Sequence, residues 1–157
     1  MAKAEKTNVM RTLERLKIPF RVHCYADSGL ISGADVADYL GQDAGKVFKT
    51  LVTAGKSRNH YVFMIPVKEE LDLKKAAKHF GEKSVAMIPA KEITNVTGYI
   101  KGGCSPIGMK KLFPTFIDET AILFEKIFVS GGKVGLNLEI APEDLAGFVP
   151  AEFADLA

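Results

Sequence analysis

The chain has 157 residues, 47% of them hydrophobic and 25% charged, with a net charge of +2; this is enough apolar material to close one core, and too little charge to announce a nucleic-acid binder by itself. Residues 1–157 are therefore expected to form a single domain. The N-terminal Met1-Ala2-Lys3-Ala4-Glu5-Lys6 holds no apolar signal core, no apolar run is long enough to cross a bilayer, and Cys24 and Cys104 lack the paired spacing of a zinc site, so the expectation is a cytoplasmic protein with free thiols, no metal, no cofactor and no membrane association.

From Asn8 to Leu16, Val9, Leu13 and Leu16 share one helical face and Arg11 and Arg15 lie opposite. Phe20 to Tyr25 alternates as a half-buried strand should, up to the turn signal Asp27-Ser28-Gly29. That phase turns Phe20, Val22 and Cys24 inward and leaves His23 to solvent. Ser32-Gly33-Ala34-Asp35 has the form of a capping box with Asp in place of Glu, opening a helix through Leu40 that Gly41 closes, and Asp43 starts another turn. Val47 to Thr53 and Tyr61 to Val67 are β-branched and aromatic runs separated by Ala54-Gly55-Lys56-Ser57-Arg58-Asn59, the pattern of an antiparallel hairpin. Strict alternation puts Lys49 on the face of Val47 and Leu51, so its ammonium either snorkels to water or reaches into a site.

Asp72 caps a helix from Leu73 to Phe80 that Gly81 ends, and His79, near its C-terminus, suits the helix dipole. Ser84 to Met87 reads as strand, and Pro89 opens a helix reaching Val96. His60 stands at a loop edge with no evident partner. Thr115 to Ile117, Ile127 to Ser130 and Leu136 to Ile140 are strands, the last two joined by a turn at Gly131-Gly132, and Pro142-Glu143-Asp144-Leu145 starts a final helical turn. Many short strands with interspersed helices and no regular β-α alternation predict an α+β domain on a mixed sheet that curls toward a barrel.

No G-x-S-x-G elbow, H-E-x-x-H, P-loop or dinucleotide fingerprint occurs, and the paired acids Glu69-Glu70 and Glu143-Asp144 are adjacent rather than spaced to face one centre. From Val134 to Ala157 there are five acids and no Lys or Arg, which leaves the positive charge on the preceding chain and permits a basic face toward RNA. The densest punctuation is Thr97 to Lys111, with Gly98, Gly102, Gly103, Pro106 and Gly108, and with Lys101, Lys110 and Lys111 as its only charges. Such a loop can be a plain turn, or it can hold free backbone N–H groups against an oxyanion or phosphate. Cys104, beside Ser105 in this electropositive stretch, is a candidate nucleophile with a lowered pKa, for which His23, His60 or His79 would be the base.

Gly102-Gly103-Cys104-Ser105-Pro106-Ile107-Gly108 after Thr97-Gly98-Tyr99, with Val47-Phe48-Lys49-Thr50-Leu51 upstream and Gly131-Gly132-Lys133-Val134-Gly135-Leu136 downstream, resembles the YbaK/EbsC family. Within it the likeness is to the bacterial Cys-tRNA(Pro) deacylases, relatives of the editing domain inserted in prolyl-tRNA synthetases. The resemblance runs from Thr7 to Leu145. It implies a mixed β-barrel flanked by helices and the removal of cysteine from mischarged Cys-tRNA(Pro), since a synthetase pocket cannot separate cysteine from proline strongly by packing alone. In the implied mechanism the substrate's own thiol attacks its ester carbonyl and leaves as a cyclic thiolactone. The implied partners are the 3' end of aminoacylated tRNA(Pro) and, as a candidate, prolyl-tRNA synthetase.

Carried over residue by residue, Lys49 resembles the family's essential lysine, Gly102 and Gly103 its oxyanion or substrate-binding glycines, and Tyr25 the aromatic at the end of the first strand, while Ser105 lies in the same motif. Asn137 stands where relatives commonly carry aspartate, and so offers hydrogen bonds without charge. Two other readings stay open: a thiol hydrolase using Cys104, and a binding module that keeps the fold without activity.

Overall fold

The computed structural model describes residues 6–25, 29, 33–100, 103–111 and 113–157. Thr7 caps helix α1 (Asn8–Arg15), its hydroxyl accepting from the Met10 amide, and the helix buries Val9, Met10 and Leu13. Leu16 leaves that face. It is the C-cap and 47% exposed, because the chain exits through Lys17 at φ +58°.

Strand β1 (Phe20–Cys24) follows; Phe20 packs against the core as expected, but beyond it the expected alternation fails. Val22 and Cys24 are exposed, whereas Tyr25, just beyond the strand, is buried. His23 is half-buried rather than open to solvent: its Nε2 lies 3.0 Å from Glu139 Oε1 and its ring centroid 5.1 Å from that of Phe128. Both partners sit more than a hundred residues downstream, and these cross-strand contacts decide which side of β1 faces in.

Helix α2 (Gly33–Tyr39) ends as expected at Gly41, φ +68°, while Asp27, Ser28 and Ser32 lie outside the described residues. Strands β2 (Phe48–Gly55) and β3 (His60–Pro66) form the hairpin, closed by Gly55 N–H to Asn59 O and Arg58 N–H to Gly55 O. Asp72 caps α3 (Leu73–His79) by accepting from the Lys74 and Lys75 amides. Then come β4 (Val85–Met87), a 3₁₀ turn at Ala90–Glu92, and α4 (Ile93–Thr97), which Gly98 ends in the left-handed region. The remaining elements are β5 (Thr115–Asp118), β6 (Ile127–Ser130), β7 (Leu136–Ile140), α5 (Pro142–Phe148) and β8 (Glu152–Ala154). The sequence gives no sign of β8. It pairs parallel with β5, and the buried Asp118 fastens the chain just past it by accepting the Leu156 amide at 3.0 Å.

The strands make a mixed five-stranded sheet in the order β4-β2-β3-β5-β8 and an antiparallel three-stranded sheet in the order β1-β7-β6. This is the mixed α+β architecture expected, but the curl does not complete a barrel. Among the described residues the sheets meet through one isolated parallel bridge, Val47 to Phe128, beyond which their strands do not pair. The larger core fills the space between them with Leu13, Phe48, Met64, Ile117, Leu138 and Leu145. A second lies under α3, around Phe63, Ile65, Ala76 and Phe116. Each such side chain fully withdrawn from water contributes about 1.5–3 kcal/mol. His79 is structural, as expected, with its ring against Phe116 and Nε2 3.3 Å from Asp155 O, and His60 meets Phe113 edge-on at 5.6 Å. No helix among the described residues is long and apolar enough to cross a membrane.

Candidate active site

Where the two sheets diverge they open a cleft of about 770 Å³. Its floor is β2 from Val47 to Val52. One wall is Met87, Ile88, Ala90 and Ile93, and the other is Tyr25, Ser130 and Asn137 from the three-stranded sheet and its margin, with Val36 of α2, Val67 and Cys104 of the glycine-rich loop also in the lining. The wall is mostly apolar, and among the described residues Lys49 is its one formal charge. Lys49 is half-buried, makes no ion pair among the described residues, and lines the cleft.

Among the residues singled out from the sequence, Tyr25, Lys49 and Asn137 thus come together. Asn137 stands on β7 between His23 of β1 and Ser130 of β6 and is only 6% exposed. Its Oδ1 is buried without a hydrogen-bond partner, as is Thr50 Oγ1 on the floor. Buried polar atoms left in this condition are uncommon, and two in one cleft mark a surface built for something other than packing.

The glycine-rich loop departs from expectation. Its first turn is pinned by Thr97, whose hydroxyl donates to Ile93 O and accepts from the Tyr99 amide, and by the Tyr99 hydroxyl, which donates to Ile107 O. Gly102 lies outside the described residues. The Gly103 N–H, expected to be free for an oxyanion, donates instead to Ile100 O at 3.0 Å. Gly103 is required for another reason: a Cβ there would stand 2.9 Å from Val134 N, so the loop lies directly on the turn between β6 and β7. Ser105 is fully buried, does not line the cleft, and accepts the Ile107 amide on its own Oγ, which makes it a turn residue rather than a substrate contact.

Cys104 does reach the cleft, but its chemistry is the reverse of that expected for a nucleophile. Burial pushes its thiol up to about 11, against a smaller opposing effect from the Thr97 hydrogen bond, and burial likewise raises Tyr99 to about 12. None of His23, His60 and His79 lines the cleft. A thiol raised by burial, with no described histidine lining the cleft beside it, has the environment of a wall residue. Among the described residues, no group of three His, Cys, Asp or Glu is placed to hold a metal. Sequence reasoning also missed the apolar wall of Met87, Ile88 and Ile93 and the role of Thr50; its one available signal was the interruption of an apolar strand by adjacent Lys49 and Thr50. The arrangement can enclose a ligand, offer it one cation and a few acceptors, and hold it in register; among the described residues it shows no activated nucleophile.

The aminoacyl-tRNA editing domain family matches this chain over residues 31–148. EbsC of Enterococcus faecalis, named as a candidate Cys-tRNA(Pro)/Cys-tRNA(Cys) deacylase, is 46% identical over 153 residues, which cover 97% of this chain and 93% of that protein. A proline-tRNA ligase of Thermosipho melanesiensis is 27% identical over 78% of this chain but only 21% of its own length. A crystal structure described as a candidate trans-editing enzyme for prolyl-tRNA synthetase superposes with a TM-score of 0.79 at 26% identity, covering 87% of this chain and 85% of that one.

Proposed function

Since the chain belongs to the aminoacyl-tRNA editing domain family, we propose that it is a trans-acting deacylase that removes cysteine from mischarged Cys-tRNA, with tRNA(Pro) as its acceptor, and that the substrate's own thiol is the nucleophile. The observation that carries this reading is the cleft itself: it is large enough for an aminoacylated terminal nucleoside, and among the described residues it presents Lys49 as its only charge and Cys104, its thiol pushed up by burial, as its only cysteine. An enzyme so equipped works by orientation. Holding thiol and ester together makes the attack intramolecular, which can be worth roughly 7–11 kcal/mol of the barrier. The sulfur gives up its proton and forms the C–S bond while the carbonyl electron pair moves to oxygen; collapse then breaks the C–O bond, and the departing ribose oxygen takes up a proton. Water opens the released thiolactone to cysteine.

Lys49 is assigned to a phosphate or ribose oxygen of the tRNA 3' end, Tyr25 and Asn137 to the aminoacyl group. The likeness to a proline-tRNA ligase makes prolyl-tRNA synthetase the proposed partner in delivering substrate. The test is a panel of purified Cys-, Ala-, Ser- and Pro-charged tRNA(Pro), with Cys-tRNA(Cys) alongside. Rapid release from the Cys-charged species, thiolactone as the first product, and very slow release of serine are expected. Equal turnover of Ser- and Cys-tRNA(Pro) would refute the substrate-thiol mechanism, and binding of Cys-tRNA without turnover would identify a binding module instead.

A further inference from the structure

The edge of β2 that forms the cleft floor carries backbone groups that no strand among the described residues uses. Val67 N–H donates to Val47 O and Gly55 N–H to Asn59 O, and the register between these ends is unbroken, so the odd-numbered residues of β2 bond to β3. The even-numbered residues therefore turn their N–H and C=O the other way. On that side Ala54 pairs with Ala86 of β4, and Val52 O accepts the Ile88 amide at 3.2 Å. At the opposite end Val47 bridges to Phe128, and the pairing goes no further. Thr50 falls between these two contacts. Among the described residues no strand is paired opposite its N–H and C=O, which point into the gap, and that gap is the cleft.

Backbone groups inside a fold are rarely left without partners. An α-amino ester carries a donor, its ammonium, and an acceptor, its carbonyl oxygen, on adjacent atoms in the arrangement of one strand residue. We propose that the aminoacyl group docks as a single-residue continuation of the sheet opposite Thr50, its ammonium donating to Thr50 C=O and its ester carbonyl oxygen accepting from Thr50 N–H. This rests on the deacylase reading above and makes the Thr50 amide the donor to the oxyanion formed on attack, the role for which the Gly103 amide is already occupied by Ile100 O. The same docking fixes the direction of the substrate side chain, because the face to which a strand residue points follows from its pairing.

The experiment replaces Thr50 by its α-hydroxy acid, which exchanges one backbone N–H for an oxygen and keeps the side chain. Wild-type turnover of Cys-tRNA(Pro) is measured first. With that turnover in hand, the ester-containing protein should keep its melting temperature within a few degrees and lose about 10²- to 10³-fold in kcat. Unchanged kcat overturns the docking while leaving the deacylase reading intact; a large fall in melting temperature shows that the amide serves the fold and also overturns it; absence of wild-type turnover overturns both. In ¹⁵N-labelled protein, a phosphonate analogue of cysteinyl-adenosine should shift the Thr50 amide proton downfield. A shift at Cys104 with none at Thr50 would move the donor to the glycine-rich loop and refute the proposal.

Discussion

Replacing Gly103 by Ala tests how the glycine-rich loop is held. The added Cβ would lie 2.9 Å from Val134 N and 3.1 Å from both Lys133 C and Cα. These are backbone atoms of the turn between β6 and β7, so no rotamer change relieves the contact and one segment must move by several tenths of an ångström. Overpacking of this kind costs about 1–3 kcal/mol, offset by about 0.4–1 kcal/mol because alanine restricts the unfolded chain where the native backbone tolerates it. A net destabilisation of ~1–2 kcal/mol corresponds to a fall of about 2–8 °C in a domain of this size. The loop brings Cys104 to the cleft and the turn leads into Asn137, so the displacement also separates two parts of the lining, and kcat/KM on Cys-tRNA(Pro) should fall about tenfold or more. Calorimetry and single-turnover deacylation measure the two effects. Gly147→Ala is the internal control: it lies in α5 with nothing within 4 Å of its Cβ position, and it should stabilise by ~0.5–1 kcal/mol. A Gly103→Ala protein as stable and as active as the wild type would refute the account of the loop.

Lys49→Ala should abolish deacylation while stability stays within about 0.5 kcal/mol, because Lys49 makes no ion pair among the described residues; retained turnover would remove Lys49 from the site. Cys104→Ala should keep most of the activity, and in the native protein iodoacetamide should modify the exposed Cys24 well before Cys104. The Cys104 thiol is raised from 9.0 to about 11 in the fold, so the stability tied to its neutral form is complete below pH 9 and is lost as pH rises through about 11; alkaline melting curves of Cys104→Ala should be flatter in that window, with Tyr99, raised to about 12, accounting for what remains. Asn137→Asp should lower the melting temperature, since it places a carboxylate at a 6% exposed position, yet change kcat/KM near neutral pH by less than about threefold; a gain of tenfold or more would show that a negative charge is needed to hold the substrate ammonium.

The elements legible in the sequence are those whose signals are local. Asp72 and Gly81 bracket α3 by capping and by positive φ, and the β2–β3 hairpin follows from two apolar runs around a glycine-containing loop. Lys49 was legible for the same reason, since alternation within one strand places it beside Val47 and Leu51. What could not be read is set at a distance. Phe20 to Tyr25 fits either phase, and only Glu139 and Phe128 decide that His23 turns inward and Cys24 outward. Strand β8 is three residues long and exists because β5 offers it an edge. In the glycine-rich loop, glycine content does not say which amides are free, and Ile100 claims that of Gly103.

The pairing of β1 with β7 also governs when the protein can first become functional. Tyr25 and Asn137 face the same cleft, yet they are brought together by the pairing of β1 with β7, from Phe20↔Ile140 to Cys24↔Leu136, across a chain separation of more than a hundred residues. Closing so long a loop is entropically slow, whereas the β2–β3 hairpin needs only its own turn. During synthesis the floor bearing Lys49 and Thr50 can form early, but β1 has no partner until Ile140 has left the ribosome. Until then the exposed side of the hairpin has no opposing sheet, and any nascent fragment ending before β7 has a cleft floor without its facing wall.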